Sequence, residues 1–180
     1  MLIREATIED SASLAHIQVD SYRVTYVGML PQDFLDRFTY EEQEQDWRDL
    51  MASGTRDRVF VAEDDAGEIV GYALGRPEKD ERTGYDGELV SLHVRKSAQG
   101  QGVGRLLIAA VAGWLRGQGC ASMMLWTLAG NPARRIYEHL GGELIGEKTS
   151  ERDDGFITVD VAYGWKDIEV LGCGSADSDG

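Results

Sequence analysis

The segment Gln99-Gly100-Gln101-Gly102-Val103-Gly104 constrains this chain more than any other, because it joins two different hydrophobic periods. Before it, Glu88–Val94 alternates, with Val90, Leu92 and Val94 on one face and Ser91 and His93 on the other. A period of two is that of a half-buried strand. After it, Val103, Leu106, Leu107, Ala110, Val111, Trp114 and Leu115 recur at steps of three and four, the apolar stripe of a core-facing helix. Three alternate glycines at the mouth of that helix permit torsions and close approaches that a Cβ forbids. They leave main-chain N–H groups pointing outward at the positive end of the helix dipole, a concavity suited to an anion and above all to phosphate.

The spacing rules out two familiar phosphate loops. G-x-G-x-x-G fails because Arg105 or Leu107 falls where the last glycine belongs, and no Lys-Ser/Thr pair follows the glycines as a Walker loop requires. What remains, Gln-x-x-Gly-x-Gly behind a strand ending Leu92-His93-Val94, resembles the acetyl-CoA pyrophosphate loop of the GNAT N-acetyltransferase superfamily. A second stretch, Asn131-Pro132-Ala133-Arg134-Arg135-Ile136-Tyr137-Glu138-His139-Leu140-Gly141, resembles that family's Asn-x-x-Ala…Tyr-Glu-x-Leu-Gly-Phe segment. Ala133 stands one position early, and Gly142 stands where phenylalanine is usual.

The rest of the chain reads in the same order. Leu2–Ala6 forms a first strand, and Thr7-Ile8-Glu9-Asp10 a capping box opening a helix that contains Leu14, Ile17 and Val19. Tyr22 and Tyr26 precede a Gly28…Pro31 break, and residues 32–52 form a second amphipathic helical region with Phe34, Leu35, Phe38, Trp47 and Leu50. Residues 59–63 and 68–75 are strands joined by Asp64-Asp65-Ala66-Gly67, a hairpin signal. Ser122–Leu128 is continuously apolar and so interior to a sheet. Asn131 caps a short helix with Pro132 in its first turn and Gly141-Gly142 as its stop, and 143–149 and 156–165 form a last hairpin. The order is β-α-α-β-β-β-α-β-α-β-β, that of the family's fold: an α/β (α+β) mixed, strongly twisted, mostly antiparallel sheet flanked by helices. One domain is expected over residues 1–168, with a disordered tail over 169–180.

With 180 residues, 42% of them hydrophobic, the chain can build a full core but not two comfortable ones. No run reaches membrane-spanning length, and the start has no signal-peptide pattern. Cys120 and Cys173 have neither metal-ligand spacing nor a disulfide-framework count, so a reducing, cytoplasmic location is expected. His16, His93 and His139 form no metal set. A net charge of −14 argues against nucleic acid as partner and favours, as acceptor, a small cationic amine.

The resemblance implies an N-acetyltransferase that passes an acetyl group from acetyl-CoA to a primary amine in a ternary complex, without an acyl-enzyme and without a metal. No G-x-S-x-G elbow is present. It implies a pyrophosphate held by the main chain of Gln99, Gly100, Gln101, Gly102, Val103, Gly104 and Arg105, and pantetheine paired with Leu92, His93 and Val94 where their strand parts from the Ser122–Leu128 strand. Asn131, Ala133, Arg134 and Tyr137 complete the cofactor side, with Arg95, Lys96, Arg105, Arg134 and Arg135 as compensating cations. Tyr137 is the candidate general acid: a phenol near pKa 10 protonates a thiolate near 8.5. Glu88 is the candidate general base, directly or through water, with His93 behind it, since a lysine-like amine is only about one part in a thousand neutral at pH 7. Tyr22 and Tyr26 are candidates for the acceptor pocket. A protein N-terminal or lysine acetyltransferase, a non-catalytic acyl-CoA sensor and an acidic interaction domain remain alternatives, and homodimers are common in the family.

Overall fold

A computed structural model of the chain describes residues 1–79, 81, 83–152 and 155–172. Its elements are β1 (Leu2–Glu5), α1 (Ser11–Thr25), α2 (Gln32–Asp36), α3 (Tyr40–Ala52), β2 (Arg58–Glu63), β3 (Ile69–Arg76), β4 (Glu88–Val94), α4 (Val103–Gly117), β5 (Met123–Leu128), α5 (Arg134–His139), β6 (Glu143–Glu151), β7 (Ile157–Trp165) and α6 (Glu169–Gly172). The seven strands form one sheet in the order β1-β2-β3-β4-β5-β7-β6. Every pairing is antiparallel except β4 with β5. Helices cover both faces: α4 builds one core cluster with Leu107, Ile108, Val111 and Leu115, while α1 and α3 build the other with Leu14, Ile17 and Trp47. No helix among the described residues is long and apolar enough to cross a membrane.

Local chemistry accounts for the boundaries. The Thr7–Asp10 capping box forms, with the Thr7 amide donating to Asp10 at 2.8 Å, and Arg4 clasps the same carboxylate at 2.7 and 3.0 Å. A single 3₁₀ turn, Ile8–Asp10, precedes α1, which then runs on through Tyr22. The helical region expected over 32–52 is two helices, because Thr39 caps a fresh start by accepting from the Glu42 amide. Glu169–Gly172, expected in the tail, is a helical turn with Leu171 packed in the α4 core. The remainder of that expected tail, 173–180 with Cys173, lies outside the described residues.

Two expectations about faces are corrected. Leu106 is 44% exposed, since it sits on the flank of α4, and Ile108 and Ala112 occupy core positions beside Leu107. In β4, Val90 does not share a face with Leu92 and Val94: it packs against the α1–α3 cluster, whereas they pack against α4. The cause is a β-bulge. Leu74 pairs with Ser91 and Gly75 with Leu89, so Val90 is an extra residue that breaks the alternation.

Candidate active site

β4 and β5 are in register at one pair only, Glu88 with Met124. Beyond it the strands part, and the space between them becomes two adjoining cavities. The direction of the β4 main chain there can be read from the ladder. The Arg95 amide donates to Val70 O at 2.8 Å, and the register continues through His93–Tyr72 and Ser91–Leu74. In an antiparallel pair, hydrogen-bonded and non-hydrogen-bonded residues alternate. Leu92 and Val94 therefore turn their N–H and C=O groups away from β3, toward the parted side. One of these groups is already used, as Gln99 Nε2 donates to Val94 O at 3.0 Å.

The cofactor-side groove, of about 590 Å³, is lined by Leu92, His93, Val94, Gln99, Gly100, Gly102–Arg105, Asn131 and Ala133, among others. Gly100 and Gly102 have φ of 76° and 79°, left-handed values that favour glycine. Gly104 serves differently: a Cβ there would lie 2.9 Å from Ile136 Cδ1, so the glycine lets α4 approach α5. Among the described residues no amide from Gly100 to Arg105 has a main-chain acceptor, and the first that does is Leu106, to Gly102 O at 3.1 Å. Successive donors without partners at the start of a 15-residue helix make an anion cradle.

The second cavity, of about 320 Å³, lies on the other side of the same wall, which is made by Tyr26, Leu92, His93 and Asn131. It collects Tyr22 and Tyr137, and also Phe34, Trp126, Lys148, Arg152, Phe156 and Asp160, none of which the sequence pattern assigned to a site. The α1, α2 and β6–β7 segments bring these together. Tyr22 lies edge-on to Tyr26, with ring centroids 4.8 Å apart, and 5.6 Å from His93. Phe34 meets Phe156 edge-on at 5.3 Å where α2 approaches the β6–β7 hairpin. A signal for this hairpin was present in Asp160, a carboxylate in the middle of an apolar strand.

Burial sets the protonation states of three groups. The Tyr137 phenol is pushed up to about 12 and the Tyr26 phenol higher still, so both are protonated at neutral pH. Burial holds the His93 imidazole down to about 4, and it is neutral at pH 7. Unfolded, this histidine takes its proton near 6.5, so the folded protein loses stability as the pH falls from 6.5 towards 4, by about 3 kcal/mol across that window. His93→Gln is expected to flatten this part of the stability–pH curve in urea denaturation. An unchanged acid-side slope would show that His93 titrates normally.

Three expected site residues are placed elsewhere. Glu88 lines neither cavity and lies 3.9 Å from Arg76 Nη1, at the end of β4 where the strands are still joined. Arg134 turns from the groove, donating to Tyr163 Oη at 3.0 Å and Ala129 O at 2.6 Å. Gln101 braces the loop through Ser97 O at 3.0 Å rather than lining the groove. Arg95, Lys96 and Arg135 line neither cavity, and only Arg105 of the expected cations reaches the groove. Asn131 does not cap α5, whose N-cap is Ala133: its Oδ1 accepts from the Ala133 amide at 2.9 Å in the turn before the helix, and it donates to Thr127 Oγ1 at 2.8 Å.

An open sheet parted at one strand pair, with an anion cradle on one side of a shared wall and an aromatic cavity on the other, defines a two-substrate transferase of the acyl-CoA type. Comparison with known proteins agrees: the sequence model of the Acetyltransferase (GNAT) family matches residues 16–142, and the chain belongs to that family of N-acetyltransferases. It is 36% identical over 169 residues to the uncharacterized N-acetyltransferase YuaI of Bacillus subtilis, covering 94% of this chain and 95% of that protein. It is 36% identical over 125 residues to the aminoglycoside N(6')-acetyltransferase type 1 of Stenotrophomonas maltophilia, 67% of this chain and 71% of that one. The fold matches yncA, a putative acetyltransferase of Salmonella typhimurium solved with acetyl-CoA, with a TM-score of 0.68 at 20% identity over 99% of this chain and 98% of that chain.

Proposed function

We propose that this protein transfers an acetyl group from acetyl-CoA to a small primary amine, with both substrates held at once. The meeting of the two cavities at His93, Leu92, Tyr26 and Asn131 carries the reading. When bound, acetyl-CoA supplies a thioester with an electrophilic carbonyl. The unpaired amides from Gly100 to Arg105 hold its pyrophosphate, and the outward main chain of Leu92 and Val94 pairs with the pantetheine arm and polarises the carbonyl.

The chain's side chains then handle protons. His93, neutral and facing both cavities, accepts a hydrogen bond from the incoming amine and fixes its direction. With a pKa of about 4 it is too weak a base to strip a free ammonium near 10, so the amine arrives neutral and its proton passes to water. Tyr137 donates toward the departing sulfur. On this reading Glu88 has no part in proton transfer, and Glu88→Gln is expected to leave kcat within about twofold at every pH. A selective loss at low pH would restore it as the base. The expected acidic limb of the rate profile follows the acceptor's own ammonium.

The test is release of CoA thiol across an amine panel. Turnover with a primary amine supports acetyl transfer, while tight acetyl-CoA binding without release against any amine would favour an acyl-CoA sensor. The cationic acceptor expected from net charge finds little support in the lining, because Lys148 and Arg152 outnumber Asp160 there. The aminoglycoside acetyltransferase relative is the observation on the other side.

A further inference from the structure

The acceptor cavity carries the opposite sign to the protein around it. The chain has a net charge of −14, yet the charged side chains lining this cavity, among the described residues, are Lys148, Arg152 and Asp160, with His93 neutral. The single carboxylate is spoken for. Arg152 Nη2 donates to both Asp160 oxygens at 3.0 Å, and Arg152 Nε donates to Thr158 Oγ1 at 3.0 Å. Asp160 has a side-chain exposure of 6%, so this pair is a fixed part of the wall. Among the described residues Nη1 of Arg152 has no hydrogen bond, and Arg152 is 43% exposed at the mouth.

Lys148 stands one strand away, opposite Asp160 in the β6–β7 register. Its Nζ lies 4.1 Å from the centroid of the Trp126 ring, and no described carboxylate comes within salt-bridge distance of it. The ring holds the ammonium by its π-face without neutralising it, and leaves its N–H donors available to a ligand. A cationic acceptor entering here would meet the un-neutralised Lys148 ammonium, with the one described carboxylate of the lining already paired to Arg152. The volume of about 320 Å³ is at the small end of the roughly 300–1,000 Å³ usual for ligand sites, which suits a small acceptor.

We propose that the acceptor is a small amine that also bears a carboxylate, seated between Lys148 Nζ and the Nη1 edge of Arg152, with its amine turned to His93. This rests on the acetyl-transfer reading for the chemistry, but the anion subsite stands on its own lining. The amine and the carboxylate are read by separate walls, β4 and the β6–β7 hairpin. An amine lacking the carboxylate leaves Lys148 without a counterion, and a polyamine places like charges together. The lining thus selects amino acids over their amides and over decarboxylated amines.

The experiment sets several amino acids against their carboxamides and their decarboxylated amines. Each is measured by calorimetry on CoA-loaded protein and by thiol release with acetyl-CoA. In the wild-type protein the carboxylate member is expected to bind at least tenfold tighter and to have the higher kcat/KM. Lys148→Met is expected to bring the binding ratio within twofold, and Lys148→Glu to reverse it, with acetyl-CoA affinity unchanged as the control for folding. Equal binding of the three members, a preference for amides or polyamines, or a ratio that survives Lys148→Met would overturn the proposal. The wild-type panel decides even where a variant fails to fold. Carboxylate preference in binding without thiol release upholds the subsite and removes acetyl transfer, and thiol release without that preference does the reverse.

Discussion

Gly102→Asp is expected to weaken acetyl-CoA binding at least 100-fold in isothermal titration, while the protein stays folded. Gly102 has φ of 79° and caps α4, and a Cβ built there meets nothing within 4 Å. Substitution therefore strains only the backbone, by about 1–2 kcal/mol for a left-handed non-glycine residue. Gly102→Ala isolates that cost, which is expected as a loss of folding stability in urea denaturation with acetyl-CoA affinity held within about threefold, because the same strain is present with and without the ligand. The carboxylate of the Asp variant adds a negative charge among donors that await a diphosphate, so the two variants separate strain from charge. Unchanged affinity in Gly102→Asp would remove the loop assignment and the whole placement of the thioester with it.

Tyr137→Phe is expected to lower kcat by roughly 10²- to 10³-fold with acetyl-CoA affinity changed less than twofold. Tyr137 is 5% exposed, between Tyr163 and Trp165 at 5.9 and 6.4 Å, and phenylalanine keeps that packing. Because burial pushes the phenol up to about 12, it remains a donor throughout the working range. The loss in the variant should therefore be uniform between pH 6 and 10, rather than confined to one limb. A thiolate near 8.5 in water is the weaker base of the pair, so the role proposed for Tyr137 is to donate a hydrogen bond as charge builds on sulfur rather than to surrender its proton. Equal turnover in the variant would take Tyr137 out of the chemistry.

The sheet, its helices and the glycine loop were legible because each rests on short-range chemistry. The Thr7–Asp10 box, the Asp64–Gly67 hairpin and the period change at Gly102 each state a local preference that the tertiary structure keeps. Gly142, an anomaly in the sequence, makes sense in three dimensions: a Cβ there would be 2.9 Å from both the Trp165 ring and Tyr137 O, so the site has no room for a side chain. The acceptor cavity was only half legible. Tyr22 on α1 and Tyr26 at its C-cap lie one turn apart and invite the reading, but Lys148, Arg152 and Asp160 reach the cavity through a hairpin some 120 residues further along the chain. On a strand of mixed polarity, lysine and arginine carry no sign of which face meets a cavity. That Glu88 lines neither cavity was not legible for a related reason, since the number of residues β4 shares with β5 is a property of the pair and not of either strand.

The supernumerary residue in β4 bears on how this enzyme was made. Excising Val90 would leave Leu89 and Leu92 facing α4 as they do now, so the fold has no need of it. A bulge adds local twist to its strand, and this one falls just past Glu88–Met124, the last pair that β4 shares with β5. Deleting Val90 is therefore expected to leave a folded molecule in which more of β4 pairs with β5 and the groove between them is narrower.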